Sequence, residues 1–195
     1  LIAVLVLLPL IPILKPDLPK GRAALDIAVT GFLIQVVYFG FCYVAFTIGV
    51  SAGGVAIIVC LQPILVSLIA PWMVGERVSR LRWVGLALGL GGAVTVILAR
   101  SGIAHEPALG VLAAIGGLVG MTAATLYEKR YGVTTHPVPA NLIQYAVGAA
   151  FALPLAWFDR ARLAQLSRSD WLHALELALV GNVVYYLFLA SAIQR

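Results

Sequence analysis

Residues 63–92 read Pro63-Ile64-Leu65-Val66-Ser67-Leu68-Ile69-Ala70-Pro71-Trp72-Met73-Val74-Gly75-Glu76-Arg77-Val78-Ser79-Arg80-Leu81-Arg82-Trp83-Val84-Gly85-Leu86-Ala87-Leu88-Gly89-Leu90-Gly91-Gly92. Two apolar runs flank one short charged turn. The first run extends back to residue 52 and the second forward to residue 99. Each has about the 18 to 25 residues that a helix needs to cross a hydrocarbon core of ~30 Å. Unpaired backbone amides in lipid cost several kcal/mol each, so only helices or closed barrels span a bilayer. The alternating short segments of a barrel are missing here, and helices follow.

The same pattern fills the chain. Apolar segments run over residues 1–14, 27–48, 52–75, 82–99, 107–127, 140–158 and 173–193. Of the 195 residues 62% are hydrophobic and 11% charged, with a mean hydropathy of +1.03, far from an ordinary soluble domain. The longest polar connection, Asp159 to Asp170, leaves no room for a separate soluble domain. The fold class predicted is an all-α polytopic membrane protein. Residues 1–14 lack the basic n-region and cleavage site of a signal peptide, and both chain ends read as cuts within a longer protein.

The net charge of +5 lies in short loops and forms no basic domain, so nucleic acid is not expected as a partner. Its meaning is topological. Because successive loops alternate sides, one face holds Lys15, Lys20, Arg22, Arg77, Arg80, Arg82, Lys129, Arg130 and Arg195. The other holds Arg100, Arg160, Arg162 and Arg168. Nine against four places the first face in the cytoplasm, with the 160–168 loop opposing the trend.

Two internal matches lie at nearly the same offset. Ala3 to Leu10 resembles Ala146 to Leu155, with their Pro-Leu pairs 145 positions apart, and Gln35-Val36-Val37-Tyr38-Phe39 resembles Asn182-Val183-Val184-Tyr185-Tyr186, 147 positions apart. The second match includes polar residues as well as apolar ones. It implies two five-helix repeats: residues 1–102 hold the last four helices of one, and residues 103–195 the first three of the next. An odd helix number inverts the second repeat relative to the first, the geometry of alternating access. About seven of an expected ten transmembrane helices would then be present.

The Gly75-Glu76-Arg77 turn followed by Trp83-Val84-Gly85-Leu86-Ala87-Leu88 closely resembles the fourth and fifth helices of EamA-like members of the drug/metabolite transporter superfamily. Tyr127-Glu128-Lys129-Arg130 is similar to the end of that family's sixth helix, and Gln144 with Pro154 to its seventh. The resemblance implies ten helices around a central cavity, with both termini in the cytoplasm. It implies a bacterial inner-membrane transporter of a small organic solute, without naming the cargo.

Polar groups deep in a bilayer are the best pointer to a site. At α-helical spacing Gln35, Tyr38 and Cys42 share one face, as do Asn182, Tyr185 and Tyr186. Under inverted symmetry the two faces would meet near the midplane. Gln62 precedes Pro63, which withholds a backbone donor and suits a kink. The substrate-binding residues expected are therefore Gln35, Tyr38, Gln62, Asn182, Tyr185 and Tyr186. Helix-helix hydrogen bonding is the competing account of the same residues. Gln144 and Tyr145 are lesser candidates, and Trp72, Trp83, Trp157 and Trp171 read as interfacial anchors. Glu128 and Glu176 are the acidic residues considered for proton relay.

Gly85-x-x-x-Gly89 and Gly116-x-x-x-Gly120 predict close helix approach. Cys42 and Cys60 lie inside apolar segments without metal-ligand spacing, and His105, His136 and His173 are isolated. No paired carboxylates and no serine with a base are present. Catalytic, cofactor and metal residues are therefore not expected, and a membrane-embedded enzyme is disfavoured. A non-transporting scaffold or subunit is the alternative to a carrier. The partners expected are a small-molecule solute and the lipid bilayer, with a homodimer left open.

Overall fold

The computed structural model describes residues 2–9, 11–12, 16–75, 79–99, 106–132, 134–158, 165 and 167–179. Among these the regular structure is helical throughout. In chain order it comprises α1 (Ile2–Leu7), α2 (Arg22–Gly31), a π-helical segment (Phe32–Tyr38), α3 (Phe39–Ile48), α4 (Ala52–Val59) and α5 (Gln62–Met73). There follow α6 (Arg80–Ala99), α7 (Ala108–Tyr131), α8 (Pro137–Phe158) and α9 (Arg168–Leu179).

Four stretches of the described residues are long and apolar enough to cross a membrane: Arg22–Ile48, Ala52–Met73, Ala108–Tyr131 and Pro137–Phe158. They coincide with the expected segments 27–48, 52–75, 107–127 and 140–158. The segment at 82–99 lies within α6. Helices α1 and α9 cover parts of 1–14 and 173–193, whose other parts lie outside the described residues. Large apolar side chains stand exposed, Trp72 at 84% and Leu81 at 82%, as a lipid-facing surface requires and a water-facing one does not tolerate at this density. The chain is an all-α, multi-pass membrane protein.

Two of the expected segments are interrupted, one of them beside the Pro63 whose chemistry suits a kink. Segment 52–75 is split into α4 and α5 at Cys60 and Leu61. Pro63 has no N–H to offer the Val59 carbonyl, and the Leu61 N–H turns to Ile58 O at 3.1 Å, one residue short of α-helical pairing. In the first turn of α5 the missing donor is harmless. Segment 27–48 widens into π geometry at Phe32–Tyr38. Gly49, with φ +106°, ends α3; its N–H and that of Val50 return to the Phe46 and Ala45 carbonyls.

The chain forms two compact units, 32–132 and 1–31 with 133–195. In the first, α7 packs against the π-helical segment, α3, α4 and α5. Cys42, Ala45, Val50, Val55, Ala113 and Ala114 form its main core, and Val66, Ala70 and Leu126 a second cluster. The expected close approach occurs on α7: a Cβ at Gly120 would lie 2.8 Å from Val37 Cγ1, and one at Gly116 2.9 Å from Phe41 Cδ1. It does not occur at Gly85 and Gly89, where a Cβ meets nothing within 4 Å among the described residues. Both pairs have identical spacing, and among the described residues only the first has a partner helix against it.

In the second unit α2 packs along α8, and α1 packs against α8 and α9. A Cβ at Gly31 would come within 2.6 Å of Gln144 Cα, so Gln144 marks a tight crossing of α2 and α8. The packing units cut across the repeat boundary expected near residue 102. The reason is α7: it opens the expected second repeat in sequence, yet its small-residue face packs against the π-helical segment, α3, α4 and α5.

Helix α9 starts with a reciprocal cap. Asp170 N–H donates to Ser167 Oγ at 3.2 Å, while Ser167 N–H and O–H donate to Asp170 Oδ2 at 2.8 and 2.7 Å. Hydrogen bonds from the Ser167 side chain and backbone hold the Asp170 carboxyl below the usual carboxylate range.

Two outcomes are expected. Gly120→Leu should lower stability in detergent by about 1–3 kcal/mol through overpacking, and Gly89→Leu should change it by less than about 0.5 kcal/mol, both read from denaturant unfolding. Because the folded Asp170 has the lower pKa, its contribution is present above the ordinary carboxylate range and is lost as pH falls through the folded value. Protection of the amides at residues 167–171, taken as exchange relative to the unstructured rate at each pH, should fall over that acid window, and Asp170→Asn should remove that change.

Candidate functional site

The break between α4 and α5 falls eight residues into a 22-residue span, about 12 Å from its start and close to mid-depth. Beside it lies an open groove of about 530 Å³. Phe46, Val55, Val59 and Pro63 supply apolar wall, while Tyr38, Cys60 and Gln62 supply polar groups. None of its lining residues is charged.

Gln62 stands at the first position of α5, where the interrupted backbone turns its side chain toward α7. Its Nε2 donates to Thr125 Oγ1 at 3.0 Å, and Thr125 Oγ1 donates to Met121 O at 3.0 Å. Tyr38 closes the π-helical segment, its ring centroid 4.8 Å from that of Phe39. Its hydroxyl makes no hydrogen bond among the described residues.

Of the expected binding residues, Tyr38 and Gln62 line this groove together. Gln35 is half-buried, is not in the groove wall, and makes no hydrogen bond among the described residues. The shared face of Gln35, Tyr38 and Cys42 assumed about 100° per residue. The π turn between Gln35 and Tyr38 advances each residue by less, which separates them. Cys42 is buried in the core, its Sγ 3.1 Å from where a Gly117 Cβ would stand. Asn182, Tyr185 and Tyr186 lie outside the described residues.

The broken span is anchored at both ends by residues flanking or within α7. At the start of α4, Ser51 Oγ accepts from Gly54 N–H at 3.0 Å. The Glu106 carboxylate accepts from Ser51 N–H at 3.0 and 3.2 Å and from Ser51 O–H at 2.5 Å. A Cβ at Gly54 would lie 2.9 Å from Glu106 Oε1, so glycine there makes room for the carboxylate. At the far end Arg130 Nη1 donates to Met73 O at 3.0 Å, its guanidinium 5.4 Å from the Tyr131 ring centroid. A negative group at the helix start and a positive one at its end both match the helix dipole. The two contacts also join the 49–51 turn to residue 106 and residue 73 to residue 130, as alternating loops require.

Glu106, Arg130 and Thr125 carry no role in the sequence reading beyond the loop charge of Arg130. Glu106 before Pro107 looks like any acidic residue opening a helix, and its partner lies 55 residues away. The signal that was available is Ser51 followed by Gly54, a serine N-cap after the Gly49 turn. Among the described residues no group of His, Cys, Asp and Glu is arranged to hold a metal.

A lipid-facing helical bundle with one spanning helix broken near mid-depth, beside an uncharged groove, defines a polytopic membrane protein with a cleft open between its helices. The chain belongs to the EamA-like transporter family, which matches residues 1–98 and 108–195, and with it to the drug/metabolite transporter superfamily. It is similar to the inner membrane protein YtfF of Escherichia coli K12, 42% identical over 87 residues, covering 44% of this chain and 26% of YtfF. The uncharacterized transporter YvbV of Bacillus subtilis is 33% identical over 110 residues, 55% of this chain and 36% of YvbV. The uncharacterized inner membrane transporter YedA of Escherichia coli K12 is 27% identical over 169 residues, 86% of this chain and 54% of YedA. The matches thus cover between about a quarter and about half of these curated relatives. No solved structure matches the chain significantly. The chain is a multi-pass plasma-membrane protein.

Loss of the Ser51 cap should cost about 1 kcal/mol of helix stability. Ser51→Ala and Glu106→Gln should both lower the unfolding midpoint in detergent. The double variant should fall short of the sum of the two, since each removes the same junction.

Proposed function

We propose that the full-length protein is a secondary transporter moving a small organic solute, such as an amino acid or other metabolite, across the plasma membrane by alternating access. The observation that carries this reading is the mid-depth break at Cys60 and Leu61, opening beside Tyr38 and Gln62 onto an uncharged groove. Irregular backbone at membrane depth is tolerated where it lines a cavity or is buried in protein, and discontinuous helices of this kind hold cargo in carriers. Membership of a transporter family supports the same reading. The two stretches matched by one family support two repeats, 1–102 and 103–195, within a ten-helix whole.

In this reading the cargo is neutral or zwitterionic, because no charged residue lines the groove. Gln35, Asn182, Tyr185 and Tyr186 would complete the binding surface from the two symmetry-related helices. The basic loops at Arg80, Arg82, Lys129 and Arg130 face the cytoplasm. The protein acts as a carrier and not as an enzyme.

The test is flux of a mixed amino-acid and nucleoside panel in vesicles carrying the full-length protein. At least one solute should move faster than in empty vesicles. Gln62→Ala and Asn182→Ala should each reduce that flux about tenfold or more at normal membrane insertion. Unchanged flux in both variants would assign these side chains to helix packing. A wild type that moves nothing in the panel would favour a scaffold role.

A further inference from the structure

The Thr125 hydroxyl has a single hydrogen, and its oxygen lies 3.0 Å from Met121 O, a carbonyl that can only accept. While its hydrogen is given to Met121 O, the same oxygen accepts from Gln62. This fixes which end of the Gln62 amide faces α7: Nε2, at 3.0 Å. The carbonyl oxygen Oε1 is the atom left over, with no hydrogen-bond partner among the described residues, on a side chain that lines the groove.

We infer that Thr125 is a positioning residue that turns the Gln62 carbonyl into a fixed hydrogen-bond acceptor, so that the groove selects uncharged solutes carrying an N–H or O–H donor. This rests on the reading of the groove as a cargo site and adds its chemical preference. A glutamine amide alone is indifferent, because a flip exchanges its donor and acceptor ends. The Thr125–Met121 bond biases that choice, since the flipped amide would set Oε1 against an oxygen whose hydrogen is already given to Met121 O, and accepting from it would cost that bond. The uncharged wall excludes a counter-ion for a charged donor, and Phe46, Val55, Val59 and Pro63 give the solute an apolar body to lie against. One neutral hydrogen bond gained or lost corresponds to roughly tenfold in affinity.

Cys60, exposed beside the break, gives a readout independent of transport. The full-length protein in lipid vesicles is alkylated with N-ethylmaleimide in the presence of indole or 1-methylindole, and Cys60 modification is followed by peptide mass spectrometry. The two probes are uncharged and similar in shape; the first has one N–H donor and the second has none. Indole should protect Cys60 at about tenfold lower concentration than 1-methylindole in the wild type and in Thr125→Ser. In Thr125→Val the two should protect equally. Cys42, buried in the core, stays unreactive in any variant that has folded. Equal protection in the wild type, or a preference that persists in Thr125→Val, would overturn the assignment of Thr125 while leaving the groove a binding site. Failure of both probes to protect the wild type would overturn both the assignment and the groove reading.

Discussion

Inside a bilayer no water reaches the backbone, so every departure from regular helical pairing has to be accommodated by neighbouring protein. Two such departures lie in the 32–132 unit, the π-helical segment at Phe32–Tyr38 and the break at Cys60 and Leu61. Both elements lie against α7. Its glycines and alanines bring it into close contact with Val37, Phe41 and Cys42 on one side, and its Thr125 reaches Gln62 on another. The irregular backbone and the groove exist because this one regular helix supports them.

The support is also electrostatic. Glu106 and Arg130 sit at opposite ends of the same helix and hold opposite ends of the broken span, each with the sign that the dipole there favours. Between them the side-chain hydrogen bond from Gln62 to Thr125 joins the span to α7 without charge. Charge is thus kept to the ends and withheld from mid-depth, where its desolvation would be expensive.

Much of the fold was legible because lipid imposes a length rule. The expected segments at 27–48, 52–75, 107–127 and 140–158 coincide with spans of the structure. Gln62 was legible as a candidate because Pro63 announces an interrupted helix by chemistry alone. The π turn was not, since Phe32 to Tyr38 is an ordinary apolar run whose widening is decided by contact with α7. Gly85 and Gly116 show the same limit: the spacing is identical, and only the neighbouring helix tells packed from open. The Ser51–Glu106 junction joins residues 55 apart in sequence, and no local pattern encodes such a pairing.

The broken span has a mechanical consequence. A strut pinned at its two ends and jointed near its centre has one soft mode, in which it bows. The pins at Ser51 and Met73 stay in place while the joint at Cys60 and Leu61 moves sideways, and the groove wall moves with it. Reporters attached to the loops would register almost nothing of such a motion, and a reporter at the joint would register nearly all of it.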